Sequence, residues 1–281
     1  VEHPVASDVP QIVVRDARRA MGPVSAAVHG NPASRLRTIG ITGTNGKTTT
    51  AHLVAAILTH AGLATRVQGT LTGARTTPEA PDLQRRFAAW VAEGAQAVVM
   101  EVSSHALALH RVAGTRFDVA VFTNLGRDHL DLHGSMESYF RAKATLFTPE
   151  LSDIGVTNVD DTYGRLLLDV AAIEMVGYGL DDLDDVTVGP DRLGFTWRGR
   201  RVAVPLGGRF NVMNALAALT CATAAGIDVD TAVAGIATTQ RVPGRFEVVT
   251  APDHPFSVVV DYAHTPDGLV EVLASARAVA D

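Results

Sequence analysis

The stretch "TIGITGTNGKTTTAHLVAAIL", Thr38–Leu58, decides the fold. Its apolar start up to Ile41 predicts a buried strand, Gly43–Gly46 a tight turn, and the residues from Lys47 a helix ended by Gly62. A polyphosphate needs several backbone N–H groups pointing one way, close to the chain. Gly43 and Gly46 permit that approach, with Thr44 and Asn45 between them. The helix that follows adds the positive end of its dipole. Lys47 can reach the outer phosphates; of Thr48 and Thr49 behind it, Thr48 can place its hydroxyl on Mg²⁺. The strict phosphate-loop pattern wants a glycine at position 41, where Ile41 stands, so the loop is a variant, G-x-x-G-K-T. The bland alternative is an ordinary Gly-rich strand–helix turn.

Outward from this unit, strands and helices alternate, which predicts parallel βαβ units and an α/β fold of three layers with a mostly parallel sheet. Strands are expected at Leu36–Ile41, Ala64–Gln68, Ala97–Val102, Phe117–Phe122, "DIGVTNVD" and "EMVGYG". Helices are expected at Lys47–Ala61, Pro78–Glu93, Ser135–Phe147, Phe210–Ala225 and Thr231–Thr238. Between Val186 and Pro205 the pattern is short, Gly-punctuated and alternating, as in hairpins. After Pro243-Gly244, a plausible hinge, a new βα unit begins.

Composition narrows the function. The 281 residues are 47% hydrophobic and carry a net charge of −6 without a run of Lys or Arg. That argues against nucleic acid or an anionic membrane as partner. The single cysteine, Cys221, excludes a disulfide framework and a cysteine zinc ribbon, and fits a reducing compartment. No apolar run approaches the roughly 20 residues of a membrane span, and a cytoplasmic protein is expected. The chain opens on Val1 and closes in an apolar helical pattern without a stop signal, so a piece of a longer protein is expected.

Two further stretches carry chemistry. In "VVMEVSSHALALHRV", Glu101 falls at the end of a buried strand, where open α/β sheets place ligands. It is either a hard oxygen ligand for Mg²⁺ or an acid that caps the next helix. In "FTNLGRDHLDLHGSMESYFRAKATLF", His129 and His133 stand four apart beside Asp128 and Asp131. On a helix they would form a zinc pair. Gly126 and Gly134 favour a loop instead, with one His beside a Mg–ATP site or both as hydrogen-bonded loop residues. Lys143, read by itself, is a solvated helix lysine.

Together with "RTTPEAPDLQ", "GRFNVMNALAA", "RVPGRFEVV" and "VVDYAHTPDGL", and in this order along nearly the whole chain, these stretches resemble the Mur ligase family. Within it they are most similar to the members that form the tripeptide of peptidoglycan precursors. The resemblance implies an ATP-dependent amide ligase that works through an acyl phosphate. Its partners would be UDP-N-acetylmuramoyl-L-alanyl-D-glutamate and a diamino acid. It further implies ATP phosphates and Mg²⁺ at Lys47 and Thr48, and Mg²⁺ ligation by Glu101 and His129. Lys143 would act as a carbamylated lysine that helps hold metal. Asn211 and Asn214 would lie near adenine and ribose, and Arg245 and Asp261 would contact nucleotide. Thr76, Thr77, Ser103 and Arg111 would hold the muramoyl dipeptide. The implied division is 1–35, tail of a UDP-binding domain; 36–245, the central ATP-binding domain; and 246–281, the beginning of a C-terminal ligase domain. A monomer is expected. Leu109 and Arg75 depart from the family pattern, which often has glutamine and asparagine there. The rival readings are another ligase of the superfamily, either a lipid II amidotransferase subunit or a folylpolyglutamate synthase, or an ATPase module without ligation.

Overall fold

A computed structural model describes residues 1–250 and 254–279. Helix α1 (Ala17–Val28) and a 3₁₀ turn (Pro32–Arg35) lead into β1 (Arg37–Thr42), α2 (Lys47–His60), β2 (Thr65–Gln68), α3 (Ala80–Ala92) and β3 (Ala97–Glu101). Then come α4 (Ser104–Ala108), β4 (Phe117–Phe122), α5 (Leu130–His133), α6 (Met136–Ala144), β5 (Ser152–Asn158), α7 (Thr162–Val170) and β6 (Glu174–Tyr178). An antiparallel trio β7 (Leu183–Val188), β8 (Leu193–Trp197) and β9 (Arg200–Val204) precedes α8 (Phe210–Ala224) and α9 (Val229–Ile236). The ribbon β10 (Glu247–Val248) and β11 (Val259–Val260) and helix α10 (Pro266–Val279) end the described chain.

Six parallel strands form the central sheet in the order β2-β3-β1-β4-β5-β6. The two-residue period of a strand sends alternate side chains to opposite faces. In β3, Ala97 and Val99 enter one core while Val98 and Met100 enter the other; in β4, Val119 and Val121 oppose Ala120 and Phe122. The first core is closed by α2, α8, α9 and the antiparallel trio. The second is closed by Leu83 and Phe87 of α3, Tyr139 and Phe140 of α6 and Leu167 of α7. A sheet buried on both faces needs near-continuous apolar strands, which is what "AVVME" and "FDVAVF" supply. Helix covers both sides of the sheet, as predicted, and every expected element is present with ends shifted by a residue or a few. The hairpin region is the antiparallel trio. No helix among the described residues is long and apolar enough to cross a membrane.

Register sets up the site. Ile41 pairs with Glu101 across β1–β3, and Thr42 pairs with Phe122 across β1–β4. The phosphate loop, Glu101 and the Thr123-Asn124 segment therefore leave the sheet side by side at its carboxyl edge, the edge where such folds place ligands.

Candidate active site

The loop between β1 and α2 is shaped by its glycines. Gly46 caps α2 at φ +87°, and Gly43 sits at φ +148°, both outside the range L side chains favour. A Cβ on Gly43 would overlap the Thr123 hydroxyl, and one on Gly46 would overlap the side-chain oxygen of Asn214. Neighbours brace the loop. Asn124 Oδ1 accepts from the Asn45 amide at 2.9 Å, while Asn124 Nδ2 and Thr123 Oγ1 donate to the Asn45 carbonyl at 3.1 and 2.6 Å. The Thr44 amide donates to the Asn124 carbonyl at 2.9 Å. The Thr44 hydroxyl accepts from the Gly126 amide at 3.0 Å and lies 3.2 Å from the Tyr139 hydroxyl.

Two amines meet on one carbonyl of this loop. Lys47 Nζ donates to the carbonyls of Gly43 (2.8 Å) and Thr44 (2.7 Å), and Lys143 Nζ donates to Gly43 at 2.9 Å. Burial lowers the pKa of Lys47, with Arg245 adding to the effect and Glu101 and Asp128 opposing it. Lys143 is pushed well below the ordinary lysine range, first by burial and then by the charge of Lys47, with Asp128 opposing. Lys143 is 1% exposed and its amine stands 4.6 Å from the centre of the Tyr139 ring, so the solvated reading of this lysine is wrong. The helix prediction for α6 was right, but helical spacing does not say which face is buried when four of nine residues there are polar or charged and mixed with apolar ones.

Glu101 is also buried, at 1% exposure. It accepts from the Thr48 hydroxyl (3.0 Å), the Thr70 amide (2.8 Å) and the Thr70 hydroxyl (3.2 Å). It caps no helix; the cap of α4 is Ser103, whose hydroxyl accepts from the Ala106 amide. Arg245 donates from Nη2 to the Thr48 hydroxyl at 3.0 Å and lies 4.6 Å from the Tyr262 ring centre, and its buried Nε has no hydrogen-bond partner. Thr49 is buried in α2. Asn211 donates to the Gly207 carbonyl at 2.7 Å, and Asn214 donates to Asn211 at 2.9 Å beside Gly46. Asp261 stands differently. Its carboxylate accepts from the amides of Phe246 (2.8 Å) and Ala263 (2.7 Å), so it clamps the segment after Gly244.

His129 and His133 bound a single helical turn, α5, where a loop was expected. His129 is the left-handed residue before that turn (φ +51°), so the two rings do not share a helix face as a zinc pair would. Instead they meet a third imidazole. His105 stands 4.7 Å from His129 and 6.0 Å from His133 between ring centres, and His133 stacks on Tyr139 at 5.0 Å. His133 Nε2 lies 3.0 Å from the Ser104 hydroxyl, and His129 lies 3.4 Å from Asp128. Partial burial lowers the pKa of His129, and Asp128 opposes this. Burial pushes Tyr139 up to about 12. Among the described residues no group of three or more His, Cys, Asp or Glu is arranged to hold a metal ion. Mg²⁺ asks for less, since it keeps several waters and takes one or two carboxylates plus phosphate oxygens. Glu101 with the Thr48 hydroxyl fits that need, and the glycine cradle, the Lys47 amine and the unpartnered Arg245 Nε fit a polyphosphate.

The remaining predicted residues form an adjoining wall. Thr77 Oγ1 donates to the Glu101 carbonyl at 2.9 Å and accepts from the Ser103 amide at 3.1 Å. Thr76 lies 3.1 Å from Thr70 between hydroxyls, and Arg111 pairs with Glu79 at 2.9 Å. Sequence reasoning missed His105, Thr123, Asn124, Tyr139 and Glu79. Tyr139 was findable, because it precedes Lys143 by four residues and so shares its helix face.

Residues 41–222, more than half of the chain, match the Mur ligase middle domain. The UDP-N-acetylmuramoyl-L-alanyl-D-glutamate--2,6-diaminopimelate ligase of Streptomyces coelicolor is 46% identical, covering 100% of this chain and 59% of that protein. The protein of the same name from Aquifex aeolicus is 43% identical, covering 99% of this chain and 60% of its own length. The chain thus spans about three-fifths of these relatives. A solved structure of a ligase of that name superposes with TM-score 0.78 at 33% identity, covering 95% of this chain and 59% of the other. MurF from Acinetobacter baumannii shares the fold, with TM-score 0.76 at 22% identity over 98% of this chain and 62% of its own. The family match over residues 41–222 and relatives 43–46% identical along 99–100% of this chain show that this chain belongs to the Mur ligase family.

Proposed function

We propose that this chain is the nucleotide-binding core of an ATP-dependent amide ligase. It would join a diamino acid to UDP-N-acetylmuramoyl-L-alanyl-D-glutamate by way of an acyl phosphate, as a step of cytoplasmic peptidoglycan synthesis. The observation that carries this reading is the convergence of Lys47, Thr48, Glu101, Arg245 and Lys143 at one loop, next to the wall of Thr76, Thr77, Ser103 and Arg111.

Bound ATP would supply the phosphoryl group, and Mg²⁺ would neutralise charge on its oxygens. The chain's own residues do the rest. The Gly46 amide and the N-terminus of α2 would face the phosphates, while Asn124 holds the amides of Thr44 and Asn45 and so keeps the loop in shape. Lys47 leaves the two carbonyls it now holds and places its charge where negative charge develops on transfer. Thr48 and Glu101 offer oxygens to the metal. Asn211 and Asn214 lie behind the loop on the nucleoside side. Asp261 would act on the nucleotide only indirectly, by holding the segment that carries Arg245.

Lys143 would work as a carbamate. Addition of CO₂ needs the neutral amine, and the burial that lowers its pKa favours that form. As an ammonium, Lys143 would repel both Lys47 and a metal; as a carbamate it becomes an anion able to hold one. His129, beside Asp128, would complete the metal surroundings. The proposed division is a preceding UDP-binding unit whose tail is 1–35, the central domain 36–245, and a further unit from 246, in a monomer. The test is phosphate release from ATP by the natural-length protein, with each acceptor omitted in turn. Turnover that requires both UDP-N-acetylmuramoyl dipeptide and a diamino acid supports the reading. Turnover with ATP alone, or with a folate acceptor, overturns it.

A further inference from the structure

Residues 123–126, between β4 and α5, grip the phosphate loop. Thr123 and Asn124 hold Asn45, the Asn124 carbonyl accepts from the Thr44 amide, and the Gly126 amide donates to the Thr44 hydroxyl. That grip is itself held from the turn between β5 and α7. Asn158 Nδ2 donates to the Thr123 carbonyl at 3.0 Å, and the Leu125 amide donates to Asp161 Oδ2 at 3.2 Å. Asp161 Oδ1 accepts from the amides of Tyr163 and Gly164, both at 2.9 Å, and so caps α7. Capping needs only one oxygen: Asp16 and Asp228 cap α1 and α9 with one each. The second oxygen of Asp161 therefore has a task of its own. The turn that carries it is well anchored. A Cβ on Gly164 would overlap the Asn158 carbonyl, so the first turn of α7 lies directly on the end of β5. Tyr163 packs at 5.4 Å between ring centres on Phe140 of α6, the helix that also carries Tyr139 and Lys143.

We propose that Asp161 is a positioning residue for the nucleotide site: through the Leu125 amide it fixes the 123–126 segment, and through that segment the shape of the phosphate loop. Leu125 stands between the two residues that hold Thr44, so a shift of its backbone moves both at once. A carboxylate suits the task, because an ionised acceptor bonds an amide more strongly than a neutral one. A loop whose supports are loose must be ordered by its ligand, and affinity falls by that cost. The inference rests on the phosphate-loop reading proposed above.

Substitution can separate the two tasks of this one carboxylate. Asp161→Asn keeps an acceptor oxygen for the cap of α7, where Asn serves about as well as Asp, and turns an NH₂ group on the Leu125 amide. In the natural-length protein it should lower Tm by no more than about 3 °C. It should bind a non-hydrolysable ATP analogue with Mg²⁺ about 10-fold more weakly. Amide exchange should quicken at Leu125 and across Gly43–Gly46, yet not at Tyr163 and Gly164. Asp161→Ser also caps a helix but is too short to reach Leu125, so it should behave alike. Binding of UDP-N-acetylmuramoyl dipeptide without nucleotide should be the same in all three proteins. A residue that merely caps α7 would leave analogue binding within about 2-fold of the unaltered protein, or weaken it only in step with a lower Tm and faster exchange in α7. Either result overturns the proposal. If the unaltered protein does not bind the analogue, the nucleotide reading fails together with this role. If it does, and both variants leave exchange across Gly43–Gly46 untouched, the role of Asp161 alone fails.

Discussion

Helices α2 and α10 stand in opposite relations to their surroundings. Helix α2 carries the phosphate loop and is enclosed: Leu53, Val54, Ile57 and Leu58 have no exposed surface, and α8, α9 and the sheet lie against it. Helix α10 follows a ribbon of two short strands and leaves Leu269, Val270 and Leu273 at 47%, 64% and 67% exposure. It is held to the rest by polar contacts: Ser275 accepts from the Arg209 amide at 3.2 Å, and the segment before it reaches Thr48 through Arg245. The glycine loop sits on a packed element, while the segment after Gly244 reaches Thr48 through the long side chain of Arg245.

The largest effect should follow from breaking the enclosed end. Leu53→Ala removes a fully buried side chain, so chemical denaturation should show a loss of about 2–5 kcal/mol. A loss below about 1 kcal/mol would mean that α2 is not the packed scaffold described. Next in size is the loop itself. Lys47→Ala in the natural-length protein should lower kcat by roughly 10²-fold or more. Binding of UDP-N-acetylmuramoyl dipeptide without ATP should barely change. Near-normal turnover in steady-state assays would remove the phosphate role from this lysine.

How much of this was legible follows from the same contrast. The buried strands and α2 announce themselves because apolar periodicity and glycine spacing are local signals. Glu101 could be placed at a strand end, but its neighbours Thr48 and Thr70 lie 53 and 31 residues away in the chain, and only sheet register brings them together. The burial of Lys143 was illegible for a related reason: its partner is the Gly43 carbonyl, 100 residues off, and a carbonyl has no sequence signature. The bracing by Thr123 and Asn124 was hidden because two common polar residues after a strand look like any turn. His105 lay inside a motif already singled out, yet its ring meets His129 only because β3 and β4 both flank β1.

Lys143 offers a test of intermediate size, whose sign comes from its titration. Its folded pKa is lowered by burial and by Lys47, so between that value and the ordinary value of about 10.4 the unfolded chain binds the extra proton. Stability therefore rises with pH through that window, and below it the buried amine is a standing cost. Lys143→Met in CO₂-depleted buffer should raise Tm at neutral pH, and the gain should shrink as pH approaches about 10.4. A Tm lowered at neutral pH, or a gain independent of pH, would show that the amine is not held as described. In the activity assay the same variant should fail, as should Lys143→Arg, which cannot add CO₂. A small exogenous carboxylate should restore part of the rate of Lys143→Ala.

The smallest effect belongs to the open end, and it separates two accounts of residues 246–281. Leu273 is mostly exposed on α10, so in residues 1–281 alone Leu273→Ala should change stability by no more than about 0.5 kcal/mol. Leu269 and Val270 share that exposure, and three such neighbours on one helix give a stripe that further chain can cover. If the segment after 246 is the beginning of another domain, the same substitution at natural length should cost about 2–5 kcal/mol, as at any core leucine. Amide exchange in α10 should slow correspondingly, while exchange in α2 should be the same at both lengths. Equal small effects of Leu273→Ala at both lengths would show that α10 stays an exposed appendage, and the domain boundary near Arg245 would then be misplaced.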